Sequence, residues 1–177
     1  MEISVINKLT RDGQELTLSS PTNEELKELL SFLENLKAEN KDQRTLVGDY
    51  PVSLSDMSLM MKQVSSSQND LLIIAKLNSV IVGLVDFYDS TMDGDPHPVA
   101  EIGVSVLKSF QGLGIATMLM EACIGAAKKH SSIKMIILTV VSYKVEAKRI
   151  YTKLGFIDTA FEETSEGLNK YWMELGI

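Results

Sequence analysis

The stretch Val104-Ser105-Val106-Leu107-Lys108-Ser109-Phe110-Gln111-Gly112-Leu113-Gly114-Ile115-Ala116 decides the reading of this chain. It starts as an apolar strand, passes two glycines one residue apart, and leads directly into an amphipathic helix. The glycines permit close approach of a ligand to the backbone, and the first N–H groups of a helix have no partner inside it. Together with the helix dipole these groups form an anion site that takes a pyrophosphate without any metal ion. A dinucleotide-binding fold instead needs G-x-G-x-x-G early in the chain and an acidic residue about 20 positions on. Here Thr117 stands at the third glycine position, the segment lies past mid-chain, and no Gly-Lys-Ser or Gly-Lys-Thr follows to make a P-loop. A nucleotide-binding oxidoreductase using Gly112 and Gly114 is therefore the lesser reading.

Working outward, residues 99–106 read as a strand and 112–130 as a helix whose apolar stripe is Ile115, Met118, Leu119, Ala122, Cys123 and Ala126. Residues 135–141 form a buried strand, and 145–154 a short helix stopped by Gly155. Two closing strands, 156–162 and 169–175, lie on either side of Gly167. Upstream, 70–77 and 80–88 are apolar runs separated by Asn78-Ser79, a hairpin pattern. Residues 2–9 and 15–19 are short strands around Asp12-Gly13. Thr22 with Glu25 is a capping box opening a helix with Leu26, Leu29, Leu30, Leu33 and Leu36 on one face, and a second helix spans about 54–64. An antiparallel first half followed by strand, helix, strand, helix predicts an α/β (α+β) fold with a mixed, mostly antiparallel central sheet flanked by helices.

At 177 residues, without an internal repeat or a long linker, residues 1–177 read as one domain, which at this size buries roughly 70% of its unfolded surface. The one cysteine, Cys123, excludes an internal disulfide and a cysteine-rich zinc site; it lies on the helix stripe as a small core residue. This cysteine usage, with no basic n-region ahead of an apolar run near Met1, points to the cytoplasm. No run approaches the roughly 20 apolar residues that span a bilayer, so a membrane is not an expected partner. A net charge of −7 disfavours nucleic acid. That charge is uneven: residues 101–156 hold eight Lys and Arg against three Glu, +5, leaving −12 for the rest, and the basic half reads either as the site of an anionic ligand or as a solvated helix face. Asp86, Asp89, Asp93 and Asp95, around the loop before His97, read either as a solvated loop or as an attractor for a cationic molecule.

Gln111, Gly114 and Ala116 match the signature of the GNAT superfamily, and Ala147, Ile150-Tyr151 and Lys153-Leu154-Gly155-Phe156 resemble its second CoA-side segment. The two blocks occur in the family's order at about the right distance, and the resemblance covers roughly residues 80–175. It implies an acetyl-CoA-dependent N-acetyltransferase passing an acetyl group directly to a primary amine, on a small molecule or on a protein N-terminus or lysine. A non-catalytic acyl-CoA-binding module of the same fold is the alternative.

The resemblance further implies a strand bulged and splayed from its neighbour, with Val104 and Val106 binding pantetheine and the thioester carbonyl. Gln111, Gly112, Leu113, Gly114, Ile115 and Ala116 would hold the pyrophosphate. Tyr151 would be the acid for the departing CoA thiolate and Glu101 would be the base, with His97 or water as substitutes. The chain departs from the family pattern at Lys144, where many relatives have an asparagine on pantetheine; lysine would instead reach a CoA phosphate. Dimers are common in that family, but no interface is legible in these residues.

Overall fold

The computed structural model describes residues 1–39, 53–92, 96–163 and 169–177. Within them eight strands form one sheet: β1 (Ile6–Leu9), β2 (Glu15–Ser19), β3 (Leu71–Leu77), β4 (Val80–Asp89), β5 (Val99–Val106), β6 (Met135–Val141), β7 (Ile157–Glu162) and β8 (Lys170–Gly176). The spatial order is β1-β2-β3-β4-β5-β6-β8-β7. Every pairing is antiparallel except β5 with β6. That exception follows from chain order, because a helix intervenes between these two strands and returns the chain to the same end of the sheet.

Two apolar layers hold the helices. On one face α1 (Leu26–Glu39) and α2 (Leu54–Ser66) bury Leu29, Phe32, Leu33, Leu36 and Met57 against Leu72, Ile74, Ile81 and Leu84. On the other, α3 (Ile115–His130) buries Ile115, Leu119, Met120, Cys123, Ile124, Ala126 and Ala127 against β2 to β6, and α4 (Val145–Lys153) packs Ala147 and Tyr151 on the same side. The α3 stripe is thus wider than the sequence pattern: Met120, Ile124 and Ala127 join it, while Met118 and Ala122 are only partly buried. A helix against a broad sheet buries about half its circumference, whereas a strict i, i+3, i+4 pattern marks a narrower seam.

Several boundaries differ from the sequence expectation. The α3 helix begins at Ile115 and not at 112, because Gly112 and Gly114 have φ of +81° and +86°, incompatible with a right-handed helix. The first strand is four residues long, not eight. Ahead of it, Ile3 N–H donates to Ser20 Oγ at 3.0 Å, and the Met1 ammonium donates to the carbonyls of Ser67 and Asp70, both at 2.7 Å. The capping box is present: Glu25 accepts from the Thr22 N–H at 2.8 Å, although residues 23–25 form a 3₁₀ turn before α1 starts. Asn78 and Ser79 take φ of +49° and +66°, the left-handed pair of a tight hairpin turn. Gly167, Asp93 and Asp95 lie outside the described residues. Among the described residues no helix is long and apolar enough to cross a membrane.

Candidate active site

The site forms where β5 and β6 part. Their parallel ladder consists of three pairs, Val99 with Met135, Ala100 with Ile136 and Glu101 with Ile137, while both strands run on for several residues. On its other edge β5 stays in register with β4 from Ala100 to Val106, without a bulge. The expected bulge in this strand is therefore absent, and its free groups arise because β6 diverges. The register shift in this part of the sheet lies between β3 and β4, next to Gly83. A β-carbon at Gly83 would stand 3.1 Å from Leu119 Cδ1 and 3.3 Å from Ile115 Cγ2, so the glycine lets α3 sit down on the sheet.

The direction of each β5 peptide follows from its hydrogen bonds. Ser90 N–H donates to the Val99 carbonyl at 2.9 Å, and Leu107 N–H donates to the Val82 carbonyl at 3.0 Å. Alternation along an antiparallel ladder then turns Glu101, Gly103 and Ser105 toward β4 and Ile102, Val104 and Val106 toward β6. Beyond Glu101 that side has no strand partner, so the backbone groups of Val104 and Val106 face the gap. The Val106 carbonyl is taken by Gln111, whose Nε2 donates to it at 3.0 Å. The side chain of Gln111 thereby ties the loop to the end of the strand.

The loop that follows is a pair of left-handed turns. Gly114 is the N-cap of α3, and its carbonyl accepts the first helical bond, from Met118 N–H at 3.1 Å. The N–H groups of Ile115, Ala116 and Thr117 precede that bond and have no helical acceptor. Ile115 is 1% exposed, so its side chain belongs to the core and only its backbone is available to a ligand. A β-carbon at Gly112 would meet nothing within 4 Å, which leaves the backbone open there. Arg11, which sequence reading had not singled out, lies against this loop: its N–H donates to the Leu113 carbonyl at 3.1 Å and its Nη1 to the Gly112 carbonyl at 3.2 Å. No local pattern announces a contact between residues 101 positions apart.

The two catalytic candidates stand differently. Glu101 is the last residue of β5 paired with β6 and, by strand alternation, points to the face of α1 and α2, opposite to the buried Ala100 and Ile102. Tyr151 packs with the α3-side cluster, edge-on to Phe156 with ring centroids 6.1 Å apart. Burial, helped by the nearby Asp86 carboxylate, pushes the Tyr151 phenol up to about 12. The same two causes, burial first, push the Cys123 thiol up, leaving it an unreactive core residue. The carboxylate of Asp86 lies across the ladder over Gly103: a β-carbon there would be 2.7 Å from Oδ1. Lys144 occupies the N-cap position of α4, and burial, together with the Lys108 ammonium, holds its ammonium below the usual lysine range. His97 is exposed and precedes the paired end of β5, away from the gap.

The basic side chains of α4 surround a shallow groove lined by Val145, Glu146, Lys148, Arg149, Thr152 and Lys153. Lys148 is engaged by Asp158 at 2.7 Å and lies over the Tyr171 ring at 3.2 Å, so the charge excess of this segment is partly spent inside the fold.

A strand pair that parts after three rungs, followed by a glycine loop at a helix N-terminus, is the arrangement that the GNAT resemblance implies for this fold. The family model for the acetyltransferase (GNAT) family matches residues 32–156, and the chain belongs to that family. Solved structures with the same fold include an acetyltransferase of the GNAT family from Streptococcus pneumoniae, with TM-score 0.83 and 24% identity over 92% of this chain and 99% of that one. Others are a ribosomal-protein-alanine N-acetyltransferase from Brucella melitensis (TM-score 0.75, 17% identity, 90% and 99% covered) and a putative acetyltransferase, yncA, from Salmonella typhimurium solved with its cofactor acetyl-CoA (0.69, 18%, 91% and 93%). No curated protein sequence matches the chain.

Proposed function

We propose that this acetyltransferase carries an acetyl group from acetyl-CoA directly to a primary amine, on a small molecule or on a protein N-terminus or lysine. The observation that carries the reading is the three-rung β5–β6 ladder, which leaves the backbone groups of Val104 and Val106 facing an open gap that ends at the Gly112–Gly114 loop. The residues present fit the cofactor: strand amides for pantetheine, an open glycine backbone and unpaired helical N–H groups for pyrophosphate, and the Lys144 ammonium for a phosphate. Leu113 and Ala116 shape the loop through their backbone, as Ile115 does. Acetyl-CoA supplies the activated thioester.

The Val104 N–H is the donor for the oxyanion that develops on the carbonyl oxygen, a contribution of about 3 kcal/mol for one such donor. Tyr151 holds its proton throughout the neutral range. Since an ordinary thiol titrates near ~8.5, a phenol near 12 stabilises the departing sulfur as a hydrogen-bond donor more than as a full proton source. Glu101 accepts the proton that the acceptor ammonium must lose before attack, directly or through one water. Proximity of the two substrates accounts for most of the rate, so the chemistry is common to many acceptors.

The test is thermal unfolding with acetyl-CoA, NAD, FAD and ATP at equal concentration. A ligand at about 100 times its Kd adds about 2.7 kcal/mol, a readily visible midpoint shift. A shift selective for acetyl-CoA is the expected result, and a folded protein with no shift would sink the reading. Stabilisation by acetyl-CoA with no thiol release across a broad amine panel would instead favour a non-catalytic acyl-CoA-binding module.

A further inference from the structure

From Ser109 to Met120 the chain has no charged side chain, so the loop and the first turn of α3 offer a phosphate dipoles but no formal charge. The nearest structural supplement comes from the β1–β2 turn, outside the segment 32–156 matched by the family model. This turn is tightly built. Thr10, 4% exposed, donates its N–H to the Gln14 carbonyl at 2.9 Å, and Gly13 N–H returns to the Thr10 carbonyl at 3.0 Å. Asp12, the one acid in the turn, is occupied from both sides by the Thr10 hydroxyl and by Gln14 Nε2 at 2.7 Å. Its negative charge is therefore spent within the turn, and Arg11 makes no ion pair among the described residues.

Arg11 lies along the loop instead. Its Cγ and Nε are each 3.6 Å from where a β-carbon would stand on Gly114. Its backbone N–H and its Nη1 hold the Leu113 and Gly112 carbonyls, the groups whose negative ends an anion must avoid. A guanidinium has five N–H donors in a planar fork, and a single one of them is committed to Gly112.

Resting on the acetyl-CoA reading above, we propose that Arg11 is a phosphate ligand of this site, reaching it from an N-terminal hairpin. The group recognised is a phosphate of the cofactor, either the pyrophosphate or the ribose 3′-phosphate. The backbone N–H of Arg11 holds one loop carbonyl and its guanidinium the other, so the hairpin both shapes the anion site and supplies its formal charge.

The experiment is calorimetric titration of CoA and 3′-dephospho-CoA into wild-type, Arg11→Ala, Arg11→Gln and Arg11→Lys proteins at low and high salt, with folding checked by circular dichroism. Arg11→Ala should bind CoA about tenfold more weakly at low salt, as expected for losing a hydrogen-bonded charge, with a smaller deficit at high salt. Arg11→Lys should recover most of the loss and Arg11→Gln little. A deficit that persists with 3′-dephospho-CoA assigns the pyrophosphate, and one that vanishes assigns the 3′-phosphate. Wild-type affinity in Arg11→Ala, or in Arg11→Gln should the alanine variant not fold, overturns the proposal. Failure of wild-type protein to bind CoA at all strikes the reading of the site itself and is distinct from both.

Discussion

The Asp86 carboxylate lies directly over the α-carbon of Gly103, its ladder partner on β5, with Oδ1 2.7 Å and Oδ2 3.1 Å from the place a β-carbon would take. Glycine inside a strand weakens it unless something needs the space, and here a short, stiff carboxylate fills it. Gly103→Ala should therefore cost about 1–3 kcal/mol, the range for overpacking, read as a lowered urea midpoint. Combined with Asp86→Ala the loss should shrink well below the sum of the single effects. Additive effects would mean that the two residues do not compete for this volume.

Gly114 has a different reason to be glycine. Its φ of +86° costs an L-residue about 1–2 kcal/mol even where there is room, so Gly114→Ala should lower stability by about that amount. Gly114→Glu adds bulk and negative charge at the loop proposed for the pyrophosphate and should abolish CoA binding in calorimetry. Retained affinity in that variant would remove the proposed anion loop.

For Tyr151 the kinetic prediction is a lower kcat in Tyr151→Phe with CoA affinity nearly unchanged; full activity would demote the residue. A second reading comes from stability. The folded phenol titrates near 12 and an unfolded tyrosine near 10, so the folded state holds its proton longer. The corresponding stability is complete below pH 10 and is lost as pH rises toward 12. Urea midpoints measured from pH 9 to 12 should fall more gently in Tyr151→Phe than in wild type.

Glu25 titrates in the opposite sense. Burial by itself would raise its carboxyl, but the Lys76 ammonium and the N–H and hydroxyl of Thr22 outweigh it and hold the carboxyl below the usual range. Its stabilising effect is present above the unfolded glutamate value and is lost as pH falls through the lower folded one. Glu25→Gln should flatten the acid limb of the stability curve, and a limb identical to wild type would show that the capping box and the Lys76 pair contribute nothing.

The hairpin at Asn78-Ser79, the glycine loop and the order of strands and helices were legible because each is encoded within a few residues: left-handed turn residues, paired glycines, runs of one period. The α3 stripe is wider than the sequence pattern and turned toward Met120, Ile124 and Ala127, and on α1 the buried face is Leu29, Phe32, Leu33 and Leu36; both sets keep helical spacing, and which of two overlapping apolar faces meets the sheet is set by packing. Val104 and Val106 were named through the family resemblance, yet the cause is divergence of β6 and not a bulge, a distinction set by tertiary packing. Arg11 and the Asp86–Gly103 contact had no local signal at all; both depend on strands brought together by the register of β1 to β5.

The short β5–β6 ladder also has a mechanical meaning. Strands β1 to β5 on one side and β6, β8 and β7 on the other are stitched together by three residue pairs, so the sheet is two leaves bound along a brief seam. A molecule that lies in the opening and satisfies the β5 amides takes the place of the missing rungs. On that account the bound ligand is a structural member of the protein, and amides on the open edge of β5 should gain protection from hydrogen exchange as the seam is completed.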